Sequence, residues 1–143
     1  MNVGHILATK GRDVITIQPH RTLGEVAVIL AEKGIGAIVV AGAHGEVLGI
    51  LSERDIVKAI AREGGDALSH AVSRYMTQKV VTASLNSTVD RLMEQMTEGR
   101  FRHVPIIEHN QLIGLVSIGD VVKSRVAQIE FETQSLKEYI ATA

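Results

Sequence analysis

Two stretches of this chain repeat one another. Residues 13–40, DVITIQPHRTLGEVAVILAEKGIGAIVV, lie over residues 79–106, KVVTASLNSTVDRLMEQMTEGRFRHVPI, at a fixed offset of 66 without a gap. One residue is then dropped, and GILSERD (Gly49–Asp55) lies over GLVSIGD (Gly114–Asp120) at an offset of 65. Few positions are identical, yet the order of elements is the same in both halves. A unit of roughly 60 residues has too little core to stand alone, so two copies should pack against each other. The surface between them is then the natural place for a ligand.

Composition narrows what such a pair can be. The chain has 143 residues, the ordinary length of one domain. Apolar residues make up 45%, ample for burial, with only two Tyr, two Phe and no Trp. A net charge of -1 argues against a broad electrostatic grip on nucleic acid. The absence of cysteine removes disulfides, thiol catalysis and thiolate metal sites together. The six histidines show no ligand-like spacing. No stretch approaches the roughly 20 apolar residues of a membrane span, and no signal-peptide pattern opens the chain. We therefore expect a soluble, cytoplasmic protein with no nucleic-acid or membrane partner.

Each half reads as strand, helix, strand, strand, helix. The opening strands are the β-branched runs Val14–Ile17 and Val80–Ala83. Thr22 and Thr88 then cap a helix, Thr22 with Glu25 at capping-box spacing. Leu23, Val26, Ala27 and Leu30 share one helical face, as do Val89, Leu92, Met93 and Met96. Strand pairs follow at Ala37–Ala41 with Val47–Leu51, and at His103–Ile107 with Leu112–Ser117. Their unbroken apolar runs predict strands covered on both faces. Residues 62–73, REGGDALSHAVS, read as a connector whose Gly-Gly pair stops the preceding helix. Past the repeat, Val122, Val126, Ile129, Thr133, Leu136 and Ile140 recur at spacings of four and three, a heptad stripe. It predicts a long C-terminal helix that either lies back on its own domain or contacts a second chain.

Two groups of residues can carry chemistry. Ser52-x-x-Asp55 and Ser117-x-x-Asp120 each follow a strand and open a helix. Capping alone explains that spacing, since Ser caps and Asp favours a helix N-terminus. A carboxylate fixed at a helix start can also accept hydrogen bonds from both hydroxyls of a ribose. The second group is Arg100, Arg102 and His103, whose counterparts in the first half carry no charge. Cations approaching a largely buried strand need an anionic partner, from the protein or from a ligand. Phosphate suits a guanidinium beside an imidazole. Lys10-Gly11-Arg12 is a weaker phosphate candidate. No phosphate loop, G-x-G-x-x-G, nucleophile elbow or base–nucleophile pairing is present, so catalysis is not expected.

Taken together, VITIQPHRTLGEV, VVTASLNSTVDRL, GEVLGILSERDIVKAI, FRHVPII and QLIGLVSIGDVVK resemble the tandem cystathionine-β-synthase (CBS) domain pair, or Bateman module, in its small stand-alone bacterial form. The resemblance covers about residues 5–127. It implies an α/β (α+β) fold of two β-α-β-β-α motifs in pseudo-twofold arrangement, spanning residues 5–65 and 66–127, with a C-terminal helical extension over 128–143. It implies two clefts that bind adenosine-containing ligands: AMP first, then ADP, ATP or NAD(H), with S-adenosylmethionine as an alternative. Carried over, the first cleft combines Ser52 and Asp55 with Thr77, Val81, Arg102, His103 and Pro105. The second combines Ser117 and Asp120 with Lys10, Ile15, Gly36 and Ala37, and the strand threonines Thr16 and Thr82 are further contacts. In these roles Asp55 and Asp120 hold ribose, backbone near Val81 and Ile15 reads adenine, and Arg102 and His103 neutralise phosphate. A regulatory sensor, homodimeric and acting on an unnamed protein target, is the expected function; a ligand-independent interaction module is the alternative.

Overall fold

The computed structural model describes residues 1–142. Its elements are α1 (Val3–Lys10), β1 (Thr16–Ile17), α2 (Leu23–Lys33), β2 (Ala37–Ala41), β3 (Val47–Ser52), α3 (Glu53–Glu63), α4 (Val89–Gly99), β4 (His103–Glu108), β5 (Gln111–Ser117) and α5 (Ile118–Thr142). Two short 3₁₀ turns, Gly64–Ser69 and Val72–Arg74, fill the connector. In the first half β1 runs parallel to β2, which pairs antiparallel with β3; in the second, β4 pairs antiparallel with β5. This is the expected mixed α/β pair with its C-terminal helix.

The helices begin where local chemistry places them. Thr22 Oγ1 accepts from the Glu25 amide at 3.2 Å and Thr88 Oγ1 from the Arg91 amide at 3.1 Å. The expected box at Thr22 is only half made, because the Glu25 carboxylate faces Arg21 at 3.7 Å. β2 is buried along its whole length, as its apolar run requires. Both hairpins carry a register shift at the same place, Val40/Ala41 and Ile106/Ile107. The dropped residue of the repeat therefore lies in the turn beyond it. There His109 and Asn110 take positive φ in a tight two-residue link.

The opening strands are shorter than expected. Val14–Ile17 contracts to Thr16–Ile17, and Val80–Ala83 to a single parallel bridge, Ala83 with Ile106. Pro105 is the reason in the second half. It occupies the position of Val39, which pairs with Thr16 in the first half. Proline has no N–H to give a ladder, so the pairing cannot extend past one residue.

One element was not anticipated. α1 covers the start of the chain, capped by Asn2, whose side chain accepts from the His5 amide while His5 bonds back to the Asn2 amide. Its Val3, Ile6 and Leu7 are buried with Leu92, Met96, Val104, Ile106 and Val116 in the second core. Conversely, Ala67 and Val72 of the connector complete the first core with Leu23, Val26, Ile38 and Leu51. The segment leading into each copy thus packs on the other copy, with matched contacts. The Leu23 amide donates to the His70 carbonyl and the Val89 amide to the Met1 carbonyl. A Cβ added at Gly49 would meet Met76 Sδ at 2.7 Å, and one at Gly114 would meet Leu7 Cδ1 at 2.8 Å.

Candidate functional site

Asp55 and Asp120 are held in the same way. Asp55 Oδ2 accepts from the Ser52 amide at 2.9 Å and from Ser52 Oγ at 3.1 Å, while the Asp55 amide donates back to Ser52 Oγ at 3.3 Å. Asp120 repeats this with Ser117 at 2.9, 3.0 and 3.2 Å. Capping thus consumes one carboxylate oxygen in each copy, and among the described residues no hydrogen bond reaches Asp55 Oδ1. Beyond this shared geometry the two copies diverge. Lys10 Nζ lies 2.5 Å from Asp120 Oδ2 and donates to the Leu115 carbonyl at 2.6 Å. The corresponding carbonyl in the first half, that of Ile50, is taken by the Thr77 amide at 2.9 Å. Burial works to raise the Asp120 carboxyl, but hydrogen bonds from Lys10 and Ser117 with the Lys10 charge outweigh it and hold it below its ordinary value of 3.8.

A cleft of about 550 Å³ opens beside Asp55. Its floor and walls bring together Ser52, Asp55, Thr77, Val81, Arg102 and His103, six of the seven residues expected there. Pro105, the seventh, is buried within β4 and does not line it. Gly36 and Ala37, expected beside Asp120, line this cleft instead. A Cβ at Gly36 would lie 3.4 Å from His103 Nε2, so the bare backbone leaves room for the imidazole. Ile15 packs on the first core, Thr16 lies exposed in β1, and Thr82 lines a separate cavity of about 310 Å³ with Asn110 and Leu112.

Arg54, Lys58, Lys79, Arg100 and Arg102 line the first cleft against the acids Glu53 and Asp55, giving it an excess of positive charge. Lys58 and Lys79 were missed by the sequence reading. Lys58 sits one helical turn past Arg54, a signal available once α3 is phased; Lys79 carries none. Arg100 ends α4 in the left-handed conformation at φ 56, where Gly34 ends α2 at φ 63. An arginine at that position costs about 1 kcal/mol over glycine. His103 lines the cleft as a weakened base. Burial first, then the Lys10 and Arg102 charges, hold it below its ordinary 6.5, against the opposing pull of Glu53 and Asp120. The fixed positive charge of the cleft therefore comes from its guanidinium and ammonium groups. Among the described residues no cluster of three or more potential ligands is placed to hold a metal, and no helix is long and apolar enough to cross a membrane.

The paired motifs match known proteins. The CBS domain family model matches residues 3–62 and 72–127. The chain belongs to the CBS domain family. Among curated relatives, the CBS domain-containing protein CBSX3, mitochondrial, of Arabidopsis thaliana is 37% identical over 115 residues, covering 78% of this chain and 56% of that protein. This CBS pair thus spans little more than half of that relative. The CBS-domain containing protein ATU1752 from Agrobacterium tumefaciens superposes with a TM-score of 0.86 at 53% identity, over 87% of this chain and 99% of that one. The CBS domain pair of protein MJ0100, solved with 5'-methylthioadenosine and S-adenosyl-L-methionine, superposes at 0.80 with 25% identity over 90% and 98% of the two chains. PAE2072 from Pyrobaculum aerophilum, solved with AMP, has the same fold at 0.79 with 24% identity over 93% and 99%.

Proposed function

We propose that this CBS pair is a non-catalytic cytoplasmic sensor that binds a phosphorylated adenosine ligand in the Asp55 cleft and passes its occupancy to a partner or to a second copy. The observation that carries this is the pairing of a half-free carboxylate with an excess of cations in one open cleft. Asp55 Oδ1 is available to a ribose, as in other ribose-binding acids. Arg102, Arg100 and Lys58 supply the charge that a phosphate needs. That sign favours AMP over the sulfonium cation of S-adenosylmethionine, and leaves room for ADP, ATP or NAD(H) with more phosphate. MJ0100 and PAE2072, which share the fold, were solved with adenosine compounds, which supports the ligand class. In the second copy Lys10 binds Asp120 only at its capping oxygen Oδ2, but the uncharged Gly36 and Ala37 stand where the first cleft has Arg102 and His103, so one ligand per chain, in the Asp55 cleft, is the expected stoichiometry. Ligand control further requires that one conformation or assembly bind it better than another.

The test is calorimetry and thermal shift with AMP, ADP, ATP, NAD(H) and S-adenosylmethionine. Binding of AMP at micromolar to sub-millimolar levels, one per chain, with Arg102→Ala and Asp55→Ala each weakening it about tenfold or more, is expected. No shift from any phosphate-bearing ligand at millimolar concentration defeats the reading.

A further inference from the structure

α5 runs 25 residues, but only Val121 at its start is fully buried. The heptad stripe faces solvent, from Val122 at 47% exposed to Ile140 at 66%. It does not lie back on the module. An apolar seam broken only by Thr133, on a helix whose other faces are mostly polar apart from Phe131 and Tyr139, calls for a partner of matching period.

We infer that residues 122–140 form a parallel, in-register, two-stranded coiled coil with a second copy of this chain. Val122, Ile129 and Leu136 take the d positions of the heptad, and Val126, Thr133 and Ile140 the a positions. Every a position is β-branched and Leu136 is at d, the combination that favours two parallel strands. Thr133, polar in the middle of the seam, penalises heptad-shifted registers that would bury it against Val126 or Ile140. The flanking charges choose the direction. In a parallel pair each g residue meets the e residue five places on in the other helix. Arg125 then meets Glu130 and Glu132 meets Lys137, each pair opposite in sign and each made twice by the twofold. Full antiparallel overlap would instead set Glu130 against Glu130, Glu132 against Glu132 and Lys123 against Lys137, all repulsive. Buried Val121 roots α5 in the module, while the exposed pairing of Arg125 with Asp90 of α4 at 3.2 Å would be shared with or exchanged for Glu130 of the second copy. The two nucleotide clefts of a dimer would thus be joined by one rigid stalk.

The chain has no cysteine, which makes the test direct. Light scattering of the full chain at tens of micromolar should give a dimer, and Ile129→Glu with Leu136→Glu a folded monomer with an unchanged module melting transition. Val126→Cys and Ile140→Cys should each oxidise to a disulfide-linked dimer, because only the parallel register brings each residue to its own copy. Glu132→Lys should weaken the dimer about tenfold, and adding Lys137→Glu should restore it. A monomeric full chain, a dimer indifferent to Ile129→Glu and Leu136→Glu, or the failure of both cysteine variants to cross-link overturns the inference. None of these readouts involves a nucleotide, so the outcome is separate from that of ligand binding.

Discussion

His103 and Lys10 separate two clefts that a repeated sequence would otherwise make alike. His103 is held below 6.5 mainly by burial, so the unfolded chain binds more protons than the folded one just below that value. The stability it contributes is complete above pH 6.5 and is lost as pH falls through the lower folded value. An anion in the cleft reverses the preference and draws a proton onto the ring. AMP affinity should therefore rise as pH drops from 7.5 to 5.5, and His103→Asn should flatten that rise in calorimetry; a pH-independent wild type refutes the role. Lys10 has a different consequence. Because its ammonium sits on Asp120 and reaches the Asp55 cleft only through its charge on His103, Lys10→Met should change AMP affinity far less than Arg102→Ala, which lowers it about tenfold or more. The same Lys10→Met removes the hydrogen bond and charge that hold Asp120 down. Stability that Asp120 contributes is present above 3.8 and lost as pH falls through its lower folded value, so the acid transition should begin at higher pH in the variant.

Helices and strands were legible to different degrees, for a physical reason. The faces of α2 and α4 are written in contiguous sequence, since a helix bonds within itself. Leu23, Val26 and Leu30, with Val89, Leu92 and Met96, are all buried as their spacing requires. A strand depends on what lies beside it. The run Val80–Ala83 has every β-branched credential, but its neighbour Pro105 cannot donate, and that pairing is invisible along the chain. The matched glycines Gly49 and Gly114 behave likewise: the repeat alignment pairs them without saying what approaches them. A Cβ at Gly49 meets the fixed Thr77 carbonyl at 2.8 Å as well as Met76, while at Gly114 it meets only side-chain carbons of Leu7, which a rotamer change can move. Gly49→Ala should therefore cost about 1–3 kcal/mol by urea denaturation, and Gly114→Ala clearly less. Equal losses would show that both sites yield alike.

Across the molecule, the two copies are joined by exchange as well as by contact. α1 opens the first copy yet buries Leu7, 2% exposed, in the core of the second. Leu7→Ala should cost about 3 kcal/mol. Because the connector completes the other core in the same manner, the loss should appear as one cooperative transition at lower denaturant. A biphasic curve, with the first half unaffected, would mean the copies fold independently. The amino-acid sequence by itself determined the repeat, the caps at Ser52 and Ser117, the helical faces and the presence of Arg102-His103 in one half only, because each is a local pattern or a comparison of one half with the other. The family resemblance had grouped Lys10 with Asp120, but only the tertiary structure decided that the ammonium bonds that carboxylate directly across 110 positions, that Gly36 belongs with His103, and that α1 serves the far core. Those are contacts between residues remote in the chain, chosen by how two similar surfaces fit together, and no periodicity within either half encodes that fit.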